Sequence, residues 1–211
     1  RDGKAWQQVA VPHDWAISGP FDKKWDLQMV AIEQNGETEK TEKSGRSGAL
    51  PWIGEGMYKM NWMAPKGYKR AVLVFDGAMS QPVVSINGKE AGKWAYGYNA
   101  FRIDITPFIR FGKSNLIEVH LNNVEESSRW YPGGGLYRPV SVELYGNENF
   151  STWDTFVRTL KADKQEAEVE VNALLEGKAG KSGKTVIALL DEAGKKVAEQ
   201  TITGANPEIK T

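Results

Sequence analysis

Asp14 is the first side chain whose type and setting suggest chemistry, in the run Val11-Pro12-His13-Asp14-Trp15. A carboxylate beside a flat apolar ring pairs hydrogen-bond acceptors with a stacking face. Sugars use both, because an aromatic face packs on the C–H side of a pyranose while a carboxylate grips adjacent hydroxyls. The same run also reads as a turn aspartate next to a core tryptophan. A second cluster, Gly92 to Phe101, holds Trp94, Tyr96 and Tyr98 between small residues. These aromatics either line a groove or pack over the end of a sandwich. The third is Ser127-Ser128-Arg129-Trp130-Tyr131-Pro132-Gly133-Gly134-Gly135-Leu136-Tyr137-Arg138. Its glycine triplet is not a phosphate cradle, which needs Lys and Ser/Thr directly after it and then a helix. It reads instead as a sharp loop whose backbone passes close to another surface, with Arg129 and Trp130 displayed at its start.

Other chemistries lack material. The chain has no cysteine, so disulfides, thiolate nucleophiles and Cys-based zinc sites are excluded. Two histidines, His13 and His120, leave little for a metal centre, and no metal or cofactor is expected. No nucleophile elbow accompanies a Ser/His/Asp set. His13 reads as a hydrogen-bonded structural residue, and His120 as a strand residue facing solvent or a neighbouring strand. Glu148, in Asn147-Glu148-Asn149, reads as part of a linker turn. The 27 basic and 27 acidic residues cancel, whereas a nucleic-acid binder usually carries a basic excess. No uncharged apolar run reaches bilayer length. Neutral sugars need no net field.

The elements that must position these residues are strands. The chain of 211 residues could bury roughly 70% of its unfolded surface, enough for a core without staples. Met57–Met63, Ala71–Phe75, Val83–Ile86, Leu116–Leu121 and Val140–Leu144 are short apolar or alternating runs. Asn87-Gly88 is a strong hairpin signal, since both residues tolerate positive φ. This rhythm predicts an all-β sandwich or barrel. One or two helical turns are expected near Pro107–Arg110, with Thr106 as the cap. Residues 33–48 are polar and glycine-bearing, and read as a long surface loop. Phe101–Thr106 reads as structural.

Composition changes after Phe150: seven of the eight tryptophans precede it. Ala167–Ala173, Thr185–Leu190 and Val197–Ile202 then alternate with turns in the rhythm of an immunoglobulin-like sandwich. Roughly 60 residues cannot complete one, since the seven-stranded form takes about 100. The expected domains are therefore 1–150 and a truncated 151–211, whose unpaired edges would leave it mobile, edge-paired in a homo-oligomer, or packed on a neighbour. The chain opens at Arg1 without an apolar leader and reads as part of something longer. Its compartment, bacterial periplasm or cytoplasm, stays open.

Taken in order, these clusters resemble the amino-terminal sugar-binding domain of glycoside hydrolase family 2. The likeness rests on Pro12-His13-Asp14-Trp15, Gly54-Glu55-Gly56-Met57-Tyr58, Val83 to Gly88, Tyr98 to Thr106, Asn115 to Val119 and Ser128 to Arg138, and covers about residues 5–146. The wording is most similar to the bacterial β-galactosidase branch. The resemblance implies a jelly-roll first domain and the start of an immunoglobulin-like second domain. In the family both precede a (β/α)8 barrel whose two glutamates perform a retaining hydrolysis. No barrel is present here, so no hydrolysis by this polypeptide alone is expected. The resemblance also makes Asp14 a residue that holds the sugar's hydroxyls, with His13 orienting it and Trp130 and Tyr131 shaping the pocket wall. Arg129 stands where well-known members carry Asp, so a cation site is not carried over. An arginine can still donate in a fork to hydroxyls or a carboxylate. The partners so implied are a β-galactoside or related saccharide and the barrel of the same enzyme. A stand-alone carbohydrate-binding module and a structural adhesion fragment are the rival readings.

Overall fold

A computed structural model describes residues 6–25, 27–31, 40–44, 50–124, 130–177, 184–203 and 208–210. All the described regular structure is antiparallel β apart from one 3-10 turn at Lys23–Trp25. The chain divides into two units, residues 1–144 and 145–211.

In the first unit, β1 (Leu27–Ala31) pairs with β2 (Lys40–Ser44). The stretch 33–48, expected to be one continuous loop, therefore contains a strand. Its polar residues gave no strand signal, but backbone pairing with the apolar β1 supplies the ladder. The rest of that stretch lies outside the described residues. Two larger sheets follow. One is ordered β3 (Glu55–Met63), β8 (Ser114–Asn122), β5 (Val83–Ile86), β6 (Lys89–Lys93). The other is ordered β7 (Phe101–Asp104), β4 (Arg70–Phe75), β9 (Val140–Tyr145).

One apolar cluster draws on both sheets: Ala71, Leu73 and Phe75 from β4, Phe101 and Ile103 from β7, Val84 and Ile86 from β5, and Ile117, Val119 and Leu121 from β8. Alternate residues point the same way along a strand. In β8 every second residue from Asn115 to Leu121 is buried. The two sheets thus share a core as the layers of a sandwich. The hairpin at Asn87-Gly88 is present, with φ of 53° and 79° joining β5 to β6.

The helix expected near Pro107–Arg110 is only a hydrogen-bonded turn. Phe108 N and Ile109 N both donate to Ile105 O, at 3.0 and 3.2 Å. The buried Asn115 side chain then takes Arg110 N–H at 2.8 Å and donates to Arg110 O at 3.1 Å, which diverts the chain into β8. Thr106 does not cap a helix, because its hydroxyl accepts from Ala71 N at 3.0 Å. Phe101–Thr106 is structural: Phe101, Ile103 and Ile105 are buried, Arg102 pairs with Glu143, and Asp104 pairs with Arg70 at 3.0 Å.

In the second unit, β12 (Ala167–Gly177) lies between β10 (Glu148–Phe150) and β11 (Phe156–Ala162), and also pairs with β15 (Glu208–Lys210). β13 (Lys184–Leu190) pairs with β14 (Lys196–Thr203). Glu148 thus lies in a strand rather than in the expected linker turn, because Glu148–Phe150 completes a ladder against Leu175–Gly177. Among this unit's described residues only Ser151 is buried.

Candidate functional site

The glycine triplet creates the site by letting backbone in where no side chain fits. Met79 and Gly135 exchange backbone hydrogen bonds at 3.0 and 2.9 Å, which ties the loop to the segment between β4 and β5. Gly135 has φ +79°, and a Cβ there would stand 2.2 Å from the Tyr58 hydroxyl. A Cβ at Gly134 would stand 2.7 Å from Trp15 Nε1 and 3.2 Å from the Tyr131 hydroxyl. The close backbone approach expected for this triplet is therefore present. The loop lies against the tryptophan of the first cluster and the tyrosine of β3.

Tyr58, which the sequence reading passed over, is the hub. Its hydroxyl donates to His13 O at 3.2 Å and accepts from Leu136 N at 3.4 Å. It meets His13 Nδ1 at 2.9 Å. All three contacts are satisfied when the phenol gives its proton to His13 O and accepts from Leu136 N–H and from an imidazole that carries its hydrogen on Nδ1. His13 N also donates to Leu136 O at 2.7 Å. Burial, and secondarily the nearby Asp14 charge, push the Tyr58 phenol up to about 12 against the Leu136 amide. Tyr58 is therefore a neutral brace that stacks on Trp15 with ring centres 6.1 Å apart. Trp15 also packs on Trp52 at 5.7 Å.

Asp14 is held by another set. The Tyr131 hydroxyl donates to Asp14 Oδ1 at 2.5 Å, across 117 residues of sequence. The Ala16 amide donates to the same oxygen at 3.0 Å. Both bonds fall on Oδ1, and Oδ2 lies toward the small Gly133, 3.9 Å from where a Cβ would be. His13, expected to orient Asp14, instead braces Tyr58, and Tyr131 does the orienting. Behind the loop, Asn123 is buried and donates to Gly133 O at 3.0 Å. Trp15 Nε1 and Asn123 Oδ1 are buried without a protein partner.

The second cluster joins the same neighbourhood. Trp130, 56% exposed, donates its Nε1–H to the Tyr98 hydroxyl at 3.0 Å. The Tyr137 hydroxyl donates to Gly97 O at 3.0 Å. Trp94 goes to packing, stacked on Phe101 at 5.5 Å, whereas Tyr96 is exposed. Asp14, His13, Trp130 and Tyr131 are thus gathered by one loop system. Arg129 lies outside the described residues. No cluster of three or more His, Asp or Glu suited to a metal ion occurs among the described residues. His120 belongs elsewhere, facing Glu55 at 3.3 Å.

An antiparallel sandwich that presents one fixed carboxylate and several aromatics on glycine-shaped loops is the kind of surface carbohydrate-active enzymes use. No family model matches the chain. It is 30% identical to the β-galactosidase BoGH2A of Bacteroides ovatus over 204 residues, covering 94% of this chain and 22% of that protein. It is 25% identical to a β-glucuronidase of Formosa agariphila, covering 96% of this chain and 22% of that one. Among solved structures, a glycosyl hydrolase family 2 member from Bacteroides cellulosilyticus aligns with a TM-score of 0.75 at 28% identity, over 100% of this chain and 27% of its own. The chain is a homologue of glycoside hydrolase family 2 enzymes, and spans about a quarter or less of the length of the curated relatives it matches.

Proposed function

We propose that the chain is the sugar-holding portion of a retaining, exo-acting β-glycosidase of the β-galactosidase type. Its first unit is the jelly-roll domain, and its second is the beginning of an immunoglobulin-like domain. A (β/α)8 barrel elsewhere in the enzyme supplies the two glutamates. The observation that carries this reading is the Asp14 carboxylate, locked through Oδ1 by Tyr131 and Ala16 with Oδ2 left toward the glycine loop.

A fixed carboxylate lowers the barrier by orientation rather than by proton transfer. Oδ2 accepts from a hydroxyl that takes no part in the reaction, and the exposed Trp130 provides an apolar wall. Arg129, next in the chain, donates to hydroxyls or to a carboxylate of the sugar. In the intact enzyme, Asp14→Ala should lower kcat/KM on β-galactosides about ten- to a hundred-fold, the scale of a hydrogen bond to a charged group. The domain should stay folded, with stability lowered only by the loss of the Tyr131 and Ala16 hydrogen bonds. Unchanged kinetics would remove Asp14 from the substrate. Parallel assays on nitrophenyl β-galactoside and β-glucuronide decide the sugar, since relatives bearing both names match this chain.

A further inference from the structure

Three aromatic rings cluster on the loop system that frames Asp14 without entering the core. Trp130 is 56% and Tyr96 55% exposed, and Tyr98 is half-buried between them. The Tyr96 and Tyr98 rings are 5.6 Å apart and tilted by 60°. The Trp130 N–H is given to the Tyr98 hydroxyl. The polar edges of Trp130 and Tyr98 are therefore spent on each other, while ring surface remains turned to solvent.

The loop carrying these tyrosines is fastened rather than loose. Tyr137 donates to Gly97 O at 3.0 Å, and Arg138 donates to Tyr98 O at 2.9 Å. Gly97 is buried, and a Cβ there would stand 2.4 Å from Met79 Sδ. Met79 is the residue that bridges Gly135. One backbone framework thus positions both the Asp14 cradle and the aromatic rings. Single exposed apolar residues are ordinary, but a contiguous, immobilised aromatic patch marks a binding surface.

Trp130 and Tyr131 are consecutive, so their Cα atoms are about 3.8 Å apart. One side chain faces Tyr98 and the other Asp14. Adjacent backbone positions thus lead to the aromatic rings on one hand and to the carboxylate on the other. Aromatic faces without a charge of their own suit a pyranose C–H face better than an ion.

We infer that Tyr96, Tyr98 and Trp130 form a second sugar-ring subsite next to the Asp14 site, so that the ligand is a β-linked oligosaccharide of at least two rings. This rests on the reading that Asp14 holds a saccharide. The Asp14 site takes the terminal ring, and the aromatic shelf takes the ring on the other side of the glycosidic bond.

The test is titration of the 211-residue chain with galactose, lactose and a β-1,4-linked galactotriose, and with glucuronate and a β-glucuronyl disaccharide. Calorimetry and tryptophan fluorescence provide the readouts. At least one oligosaccharide should bind about ten-fold tighter than its terminal monosaccharide, a difference of about 1.4 kcal/mol. Tyr96→Ala should erase most of that advantage while leaving monosaccharide affinity and the circular dichroism spectrum unchanged, and Trp130→Ala should erase it as well. Trp130→Phe should retain part of it. Asp14→Ala should weaken both ligands together.

Equal affinities for mono- and oligosaccharide, an advantage that survives Trp130→Ala and Tyr96→Ala, or no saccharide binding would overturn the shelf. If Asp14→Ala binds normally while the shelf variants lose the advantage, the shelf stands and the Asp14 reading falls.

Discussion

Asp14 and Tyr131 are joined by a short hydrogen bond spanning more than half the chain, and its removal can be read without disturbing the core. Tyr131→Phe keeps the ring and frees Oδ1. Stability should fall by about 1.5–3 kcal/mol, as for loss of a hydrogen bond to a charged group, and saccharide affinity should fall with it because the carboxylate is no longer fixed; thermal unfolding and calorimetry read the two. Tyr58 makes a different prediction. Folding raises its pKa to about 12, above the usual value near 10. The stability it contributes is therefore complete below about pH 10 and is lost as pH rises through the folded value. Urea unfolding between pH 9 and 12 should show that decline, and Tyr58→Phe should flatten it. At the acid end, burial opposes ionisation of Asp104, but hydrogen bonds from Thr106 and Arg70 outweigh it and lower its pKa. Its contribution is present above the ordinary aspartate range and fades as pH falls below it. The family resemblance put Asp14 and Tyr131 in one pocket, but their spacing gave no sign of the hydrogen bond between them, because a contact over that distance depends on the fold. Tyr58 was hidden for a related reason, since in an alternating strand it looks like any inward-facing aromatic.

Two glycines separate backbone cost from packing cost at the level of loops and strands. Gly88, in the turn between β5 and β6, has φ +79° and open space where a Cβ would go. Gly88→Ala should cost only the left-handed penalty, about 1–2 kcal/mol. Gly135 has the same φ, but its Cβ would collide with the Tyr58 hydroxyl and crowd His13 O at 3.0 Å. Gly135→Ala should cost at least about 3 kcal/mol and should also weaken saccharide binding, whereas Gly88→Ala should not. Chemical denaturation and calorimetry on the pair give both numbers. The Asn87-Gly88 turn was legible because its chemistry is local. The helix expected at Pro107–Arg110 failed because Asn115, five residues beyond Arg110, captures the turn's backbone groups. The strand Lys40–Ser44 carries no apolar residue to announce it, and its evidence is the ladder with Leu27–Ala31.

Across the whole chain, the central apolar cluster is drawn entirely from residues 71–136, with surrounding packing from Trp15 to Leu144. Residues 1–144 should therefore fold cooperatively when expressed alone, keep the near-ultraviolet signature of stacked tryptophans, and bind saccharide as the full chain does. Circular dichroism and calorimetry on that fragment are the check. All-β architecture was readable from alternation because burial repeats every second residue in β5 and β8. The gathering of three distant clusters was not readable from spacing. It follows from sheet order, which no local pattern encodes. Strand β3 shows what that order demands. It closes one side of its sheet and pairs with β8 residue for residue, from Glu55 opposite Asn122 to Met63 opposite Ser114. A slip of one position would swing the Tyr58 phenol to the outer face and bring Lys59 inward. Such a molecule would keep most of its ladder yet lose the prop beneath His13 and the glycine bend. Fidelity of alignment along a single nine-residue ribbon thus decides whether a folded copy can recognise its ligand at all.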